Sequence, residues 1–217
     1  MKNVKDQITE LLISTNRKDI RTMIVYLDES GFFESPASTR FHGCYSGGLA
    51  QHSLDVYNLL IKLCPKNICE ATGAGQKPLP LDCNSLVIAA LLHDVCKIGA
   101  YIGTEKPYKY NKKNPKGHAL LSIERIEKHI KLTDLEKLMI TYHMGVYGLN
   151  EFYDEDDYQT GEYPLRGDHA NDKEMSKEES QAARYGKSMA NAWYHNPICK
   201  VIYFCDELAT LEEKAKE

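Results

Sequence analysis

Along most of the chain apolar residues recur every three or four positions, the period of a helix with one buried face, and strand-like alternation is scarce. Residues 4–14 and 18–29 are predicted as helices, the second stopped at Ser30-Gly31. After the loop ESPASTRFHGCYSGG, the stretch LAQHSLDVYNLLIKL places Leu49, His52, Val56, Leu59, Leu60 and Leu63 on one helical stripe. Residues 65–82, with three prolines and two glycines, read as a connection. Residues 83–98 (CNSLVIAALLHDVCKI) are apolar all round, which predicts a helix buried in the middle of the domain. YIGTEKPYKYNKK reads as a short hairpin and His118–Ile130 as a helix. Thr133 and Glu136 form a capping box for another helix, running to Tyr142 or His143. Asn196-Pro197, an N-cap with proline at the first helical position, opens the last helix.

Residues 150–182 break this pattern, being acidic and poor in apolar anchors, and read as an exposed insertion or lid with partial helix. The expectation is an all-α fold, a single helical bundle over residues 1–217. Its core spans about 40–150 and 185–212, with N-terminal helices at 4–30.

Ionisable residues interrupt the apolar pattern at three places. His93-Asp94 closes the most apolar helix, His52 lies inside the stripe of its own helix, and Asp206 sits between Cys205 and Leu208 in the last one. A buried unpaired carboxylate must neutralise or find a compensating cation or hydrogen-bond network. For an isolated His-Asp pair the simpler account is a hydrogen-bonded core histidine with the aspartate capping the helix. With metal-competent side chains on three core helices, a shared divalent ion becomes the better one. Lys97, three residues after Asp94, shares that helix face if the helix continues, and is either a phosphate-holding cation or a lysine snorkelling from the helix end.

Composition narrows the picture. With 42% hydrophobic residues among 217, the chain can bury one sizeable core. A net charge of −4 gives no global sign of a nucleic-acid-gripping surface, so a small substrate is favoured over a long polyanion. Seven cysteines, an odd count without a CxxC pair, read as reduced, half-buried thiols. No apolar run reaches the roughly 20 residues of a membrane span, and the N-terminus is too charged for a signal peptide, so a cytoplasmic protein without membrane contact is expected.

The order His52…His93-Asp94…Asp206 resembles the H…HD…D signature of the HD-domain metal-dependent phosphohydrolase superfamily. LLHDVCKIG is similar to that family's LLHDIGK box, and Gly47-Gly48-Leu49 leads into His52 as expected of it. PASTRFHG (36–43) is similar to the lead-in of small bacterial and phage HD hydrolases, and the chain is also similar to the HD domain of 3′-5′ exoribonucleases. The resemblance covers roughly residues 40–210. It implies that His52, His93, Asp94 and Asp206 bind one divalent metal. In some branches a second metal is bridged by the Asp of the pair. The matching residues here are His118 and His143, which could instead contact phosphate or orient a water. His143-Met144-Gly145 stands where the exoribonuclease branch has two consecutive histidines, which sets the second metal in question. Val95-Cys96 stands where Ile-Gly is commoner.

What the resemblance implies is metal-activated hydrolysis of a phosphoester, with a nucleotide or similar small phosphorylated molecule as first choice of substrate. Asp94, Lys97, His118 and His143 carry the catalysis, and Lys97, Arg40 and His42 contact the substrate. A His/carboxylate shell suits Mn²⁺, Fe²⁺, Co²⁺, Ni²⁺ or Zn²⁺ better than Mg²⁺. The alternatives are a 3′-5′ exonuclease on RNA or single-stranded DNA, a di-iron oxygenase, and a catalytically silent nucleotide-binding domain. His129 reads as a solvated surface residue, and His169 and His195 as surface or supporting residues. Tyr101, Tyr108, Tyr110 and Tyr147 could stack a base or simply pack.

Overall fold

Capping side chains fix where α1 (Val4–Ser14), α4 (Cys83–Leu92) and α6 (Asp134–Tyr142) begin. In the computed structural model, which describes residues 2–64, 82–104, 106–115, 117–145, 148 and 177–214, Asn3 accepts a hydrogen bond from the Asp6 amide and opens α1 (Val4–Ser14). Helix α2 (Ile20–Glu29) stops at Ser30 before Gly31, as its sequence predicts. Helix α3 (Gly48–Leu63) follows the loop, and α4 (Cys83–Leu92) starts where Asp82 accepts from the Ser85 amide at 2.7 Å. Such a cap contributes about 1 kcal/mol.

All of Ser85–Leu92 is buried, so α4 is the central helix that the uniformly apolar sequence predicts. It does not run to residue 98. It ends at Leu92, and a 3-10 turn, Val95–Lys97, redirects the chain. A paired strand segment follows, β1 (Tyr101–Ile102) antiparallel to β2 (Lys109–Tyr110), the predicted hairpin. Helices α5 (His118–Glu127), α6 (Asp134–Tyr142), α7 (Lys177–His195) and α8 (Pro197–Lys214) complete the described chain. The fold is all-α. Residues 65–81 and most of the acidic insertion lie outside the described residues, and the chain is helical again from Lys177.

Around α4, α3 packs against α8 and α4, α6 against α4 and α8, and α1 against α3 and α4. One core cluster joins Ile8 and Leu12 of α1, Met23 and Leu27 of α2, Leu49 and Leu60 of α3, and Ile202 of α8. Leu63, predicted on the buried stripe of α3, is exposed at the helix end, where the stripe has run past the core.

The predicted capping box is present. Thr133 Oγ1 accepts from the Glu136 amide, and Glu136 accepts from the Thr133 amide at 2.8 Å. Glu136 is fully buried, and it also holds Arg17 through two guanidinium contacts and Ser85 Oγ at 2.9 Å. One carboxylate thus ties the α1–α2 connection and α4 to the start of α6.

Close backbone approach explains Gly48. A Cβ there would lie 2.0 Å from the Gly43 carbonyl oxygen, so only glycine lets the loop before α3 fold back on the helix start. Ser38 Oγ donates to the His42 carbonyl at 2.7 Å, and the Ala37 amide donates to the Gly43 carbonyl at 2.9 Å. The loop is thereby held with His42 against α3.

Candidate metal centre

Five segments deliver ionisable side chains to one buried spot. His52 comes from the middle of α3, His93 caps the end of α4, and Asp94 leaves the helix with φ −104° and ψ 16°, in the bridge region where active-site residues recur. His118 opens α5 after Gly117, His143 caps the end of α6, and Asp206 lies on α8. His52, His93, Asp94 and His143 are buried, and the Asp206 side chain is nearly so.

Asp94 stands between two groups of histidines. Its Oδ2 lies 3.3 Å from His93 Nε2 and 3.8 Å from His52 Nε2, and both those histidines face Asp206 Oδ1, at 3.7 and 2.9 Å. Its Oδ1 lies 2.7 Å from His118 Nε2 and 3.6 Å from His143 Nε2. Lys97 Nζ meets Asp94 Oδ2 at 2.7 Å. A continuing α-helix would bring Lys97 beside Asp94, but the helix ends at Leu92. The contact forms for another reason: in the 3-10 turn residues three apart eclipse one another.

Each site histidine turns Nε2 inward and Nδ1 toward a protein group. His93 Nδ1 donates to the Ala90 carbonyl at 2.9 Å, and His143 Nδ1 to the Ile140 carbonyl at 2.6 Å. Carbonyl oxygens only accept, so these two rings carry a proton on Nδ1 and leave Nε2 as the nitrogen that can bind a metal ion. His118 Nδ1 lies 3.3 Å from Cys96 Sγ, and His52 Nδ1 lies 3.6 Å from Glu213 Oε1. His93 Nε2 is buried without a hydrogen-bond partner. Inward nitrogens beside two carboxylates, one nitrogen left unsatisfied, are a donor set that could hold a divalent metal ion. Groups of three ligand atoms close enough to share an ion are His52, His93 and Asp206, and His93, Asp94 and His143. Asp94, Cys96 and His118 form another such group.

The electrostatics follow from this crowding. Burial opposes ionisation of Asp94, but Lys97, His93 and His118 hold its carboxyl well below the usual range. Burial likewise opposes ionisation of Asp206, which His52 and His93 outweigh. Burial disfavours a charged His93, yet Asp94 and Asp206 raise its pKa to about 10. His143, governed by burial, is pushed down. Lys97, also opposed by burial, is raised by Asp94.

Of the expected substrate contacts, His42 comes to the cluster, its ring 5.0 Å from that of His52. Burial and the neighbouring Lys97 charge lower its pKa to about 3, so it is a neutral donor and acceptor. Arg40 is exposed on the same loop. Tyr101 is partly buried with Lys97 and Asp94 in its electrostatic surroundings, Tyr108 is buried, and Tyr110 is exposed beside Tyr101. Tyr147 and His169 lie outside the described residues. His195 packs edge-on against Tyr194. His129, expected as a solvated residue, is partly exposed and also stacks on Tyr26 with ring centroids 4.4 Å apart.

Sequence reasoning missed Glu213 altogether and marked Cys96 only as a departure from the commoner glycine. A signal for Glu213 existed, since it follows Asp206 by seven residues and so falls on the same helix face.

Among the described residues no helix is long and apolar enough to cross a membrane. The HD-domain family model matches residues 49–185, more than half of the chain. No curated protein and no solved structure matches it.

Proposed function

Because the chain belongs to the HD-domain family of metal-dependent phosphohydrolases, we propose that it hydrolyses a phosphoester of a nucleotide or nucleotide-like molecule. The observation that carries this reading is the convergence of His52, His93, Asp94 and Asp206 in one buried cluster beside a single lysine, Lys97. His52, His93, Asp94 and Asp206 would hold the first metal, and Asp94, His118 and His143 would hold a second. Mn²⁺, Fe²⁺, Co²⁺, Ni²⁺ or Zn²⁺ suits these donors better than Mg²⁺.

A divalent ion held there would supply Lewis acidity toward a phosphoryl oxygen and would acidify a bound water toward neutrality. The chain supplies the rest. The carbonyls of Ala90 and Ile140 hold His93 and His143 in the tautomer that offers Nε2. Asp94 stays ionised and joins the two halves. Lys97 offers a fixed positive charge to the oxygens on phosphorus, where charge gathers in the transition state. His42, neutral and half-buried, offers a hydrogen bond at the rim without adding charge.

Elemental analysis of the purified protein, paired with a phosphate-release screen of nucleotides in added Mn²⁺, tests this. Bound metal with release from a nucleotide is expected. Asp94→Ala should lose the metal, and with it several kcal/mol of transition-state stabilisation, on the order of a thousandfold in rate. Shortening of a labelled oligonucleotide in place of phosphate release would move the assignment to an exonuclease. Two irons with an oxygen-dependent product would move it to an oxygenase. A folded protein that binds no metal would overturn it.

A further inference from the structure

Glu213 is buried near the end of α8, and neither of its carboxylate oxygens has a hydrogen-bond partner. Its Oε1 lies 3.6 Å from His52 Nδ1, a nitrogen that is itself buried and without a hydrogen bond. Asp206, seven residues earlier on the same helix, takes the other nitrogen of the same ring at 2.9 Å. One helix therefore faces both nitrogens of one imidazole. A carboxylate is too costly to bury unless something in the fold uses its charge.

His52 needs such a neighbour more than the other histidines do. His93 and His143 cap their helices, where the carbonyls of the last turn have no partner within the helix and are free to accept from Nδ1. His52 lies in the interior of α3, where the main-chain carbonyls already serve the helix. Its acceptor must come from another element, and Glu213 is the group that faces it.

We propose that Glu213 is a positioning residue of the metal centre, whose carboxylate accepts the Nδ1–H of His52 and so presents the Nε2 lone pair to the ion. This rests on the metal-centre reading given above. A carboxylate acceptor makes the imidazole a stronger donor than a carbonyl does, and removing such outer partners typically weakens metal binding about ten- to a hundredfold. His52 thus becomes the ligand whose basicity is set by a charge, and α8 contributes both a ligand and the group that orients another.

The experiment compares wild type with Glu213→Met, Glu213→Gln and, as a control for charge, the exposed neighbour Glu212→Gln. Zn²⁺ affinity is measured by chelator competition, and the His52 Nδ1–H signal by nitrogen-15 NMR of metal-free and zinc-loaded protein. Glu213→Met should lose the slowly exchanging Nδ1–H and bind Zn²⁺ at least about tenfold more weakly. Glu213→Gln should restore part of both, and Glu212→Gln should match wild type. A Glu213→Met protein that keeps the Nδ1–H signal and binds Zn²⁺ as wild type does overturns the proposal, as does a lowered melting temperature with unchanged affinity. Should wild type bind no divalent ion, the metal-centre reading fails, while the Nδ1–H signal still decides whether Glu213 holds His52.

Discussion

His118 and His143 bring their Nε2 atoms to 3.3 Å from each other, both within reach of Asp94 Oδ1. His143 cannot offer a proton there, because its Nδ1 already donates to the Ile140 carbonyl. Two inward nitrogens beside one carboxylate oxygen would suit a second half-site, despite the single histidine at 143. Wild type is expected to bind two metal equivalents. His118→Ala and His143→Ala should each remove one and leave the other near its original affinity. Stoichiometry by elemental analysis after dialysis checks this, and an unchanged count in both variants would refute the second half-site.

Metal uptake should release protons. In the metal-free protein His93, with a pKa raised to about 10, holds its proton at pH 7 and gives it up only as pH rises through that value. A ligand nitrogen must be bare, so binding at neutral pH expels this proton. Apparent affinity then climbs with pH, up to about tenfold per unit for each proton displaced. For the metal-free fold, the stability His93 contributes is full below its unfolded pKa of about 6.5 and is lost as pH rises toward 10. The depressed carboxyls of Asp94 and Asp206 have the opposite sign. Their contribution is present above the unfolded value near ~3.9 and vanishes as pH falls through the folded one. Calorimetric titration in two buffers of different ionisation enthalpy counts the protons, and a count of zero at pH 7 contradicts the argument.

Removing Glu136 should cost more than removing an ordinary cap. Glu136→Ala strands Arg17, Ser85 and the Thr133 amide together. Losing one member of a buried ion pair costs about 3–5 kcal/mol, which at roughly 2–4 °C per kcal/mol lowers the melting temperature by about 10 °C. Thr133→Ala, which removes only the capping hydroxyl, should cost about 1 kcal/mol. Equal losses for the two substitutions, by thermal denaturation, would show that Arg17 and Ser85 add nothing.

The thiols should fall into separate classes. Cys83 is exposed, whereas burial pushes the thiols of Cys199 and Cys205 up to about 12. At pH 8 their thiolate fraction is then on the order of one in ten thousand. Mass mapping after brief treatment with a thiol reagent should find Cys83 modified in the native protein, and Cys199 and Cys205 only after unfolding. Early labelling of Cys199 would show that α8 does not stay docked.

The residues of the candidate centre were legible where a polar side chain broke an apolar pattern, as at His52, His93-Asp94 and Asp206. Context made them stand out. The end of α4 was not legible, because a buried 3-10 turn is as apolar as the helix it follows, and Val95-Cys96 gave no sign of the change. Glu213 was hidden for the converse reason. It lies in LEEKAKE, which has the composition of a solvated helix end, and only the packing of α8 on α3 buries it. The stacking of Tyr26 on His129, a residue at the end of a charged helix face, was not legible either. Neither partner carries a local signal of the other.

His52 and Asp206 stand 154 positions apart in the chain. An ion held by both is a cross-link closing that loop, and the entropy it removes from the unfolded chain is that of a disulfide of equal span, about 5 kcal/mol at 25 °C on the chain-entropy estimate. The described cysteines are all free, so no sulfur bridge among them does this work. The metal would be the chain's staple, unaffected by reductants and opened by chelators, so that the reagent which silences the chemistry also loosens the fold.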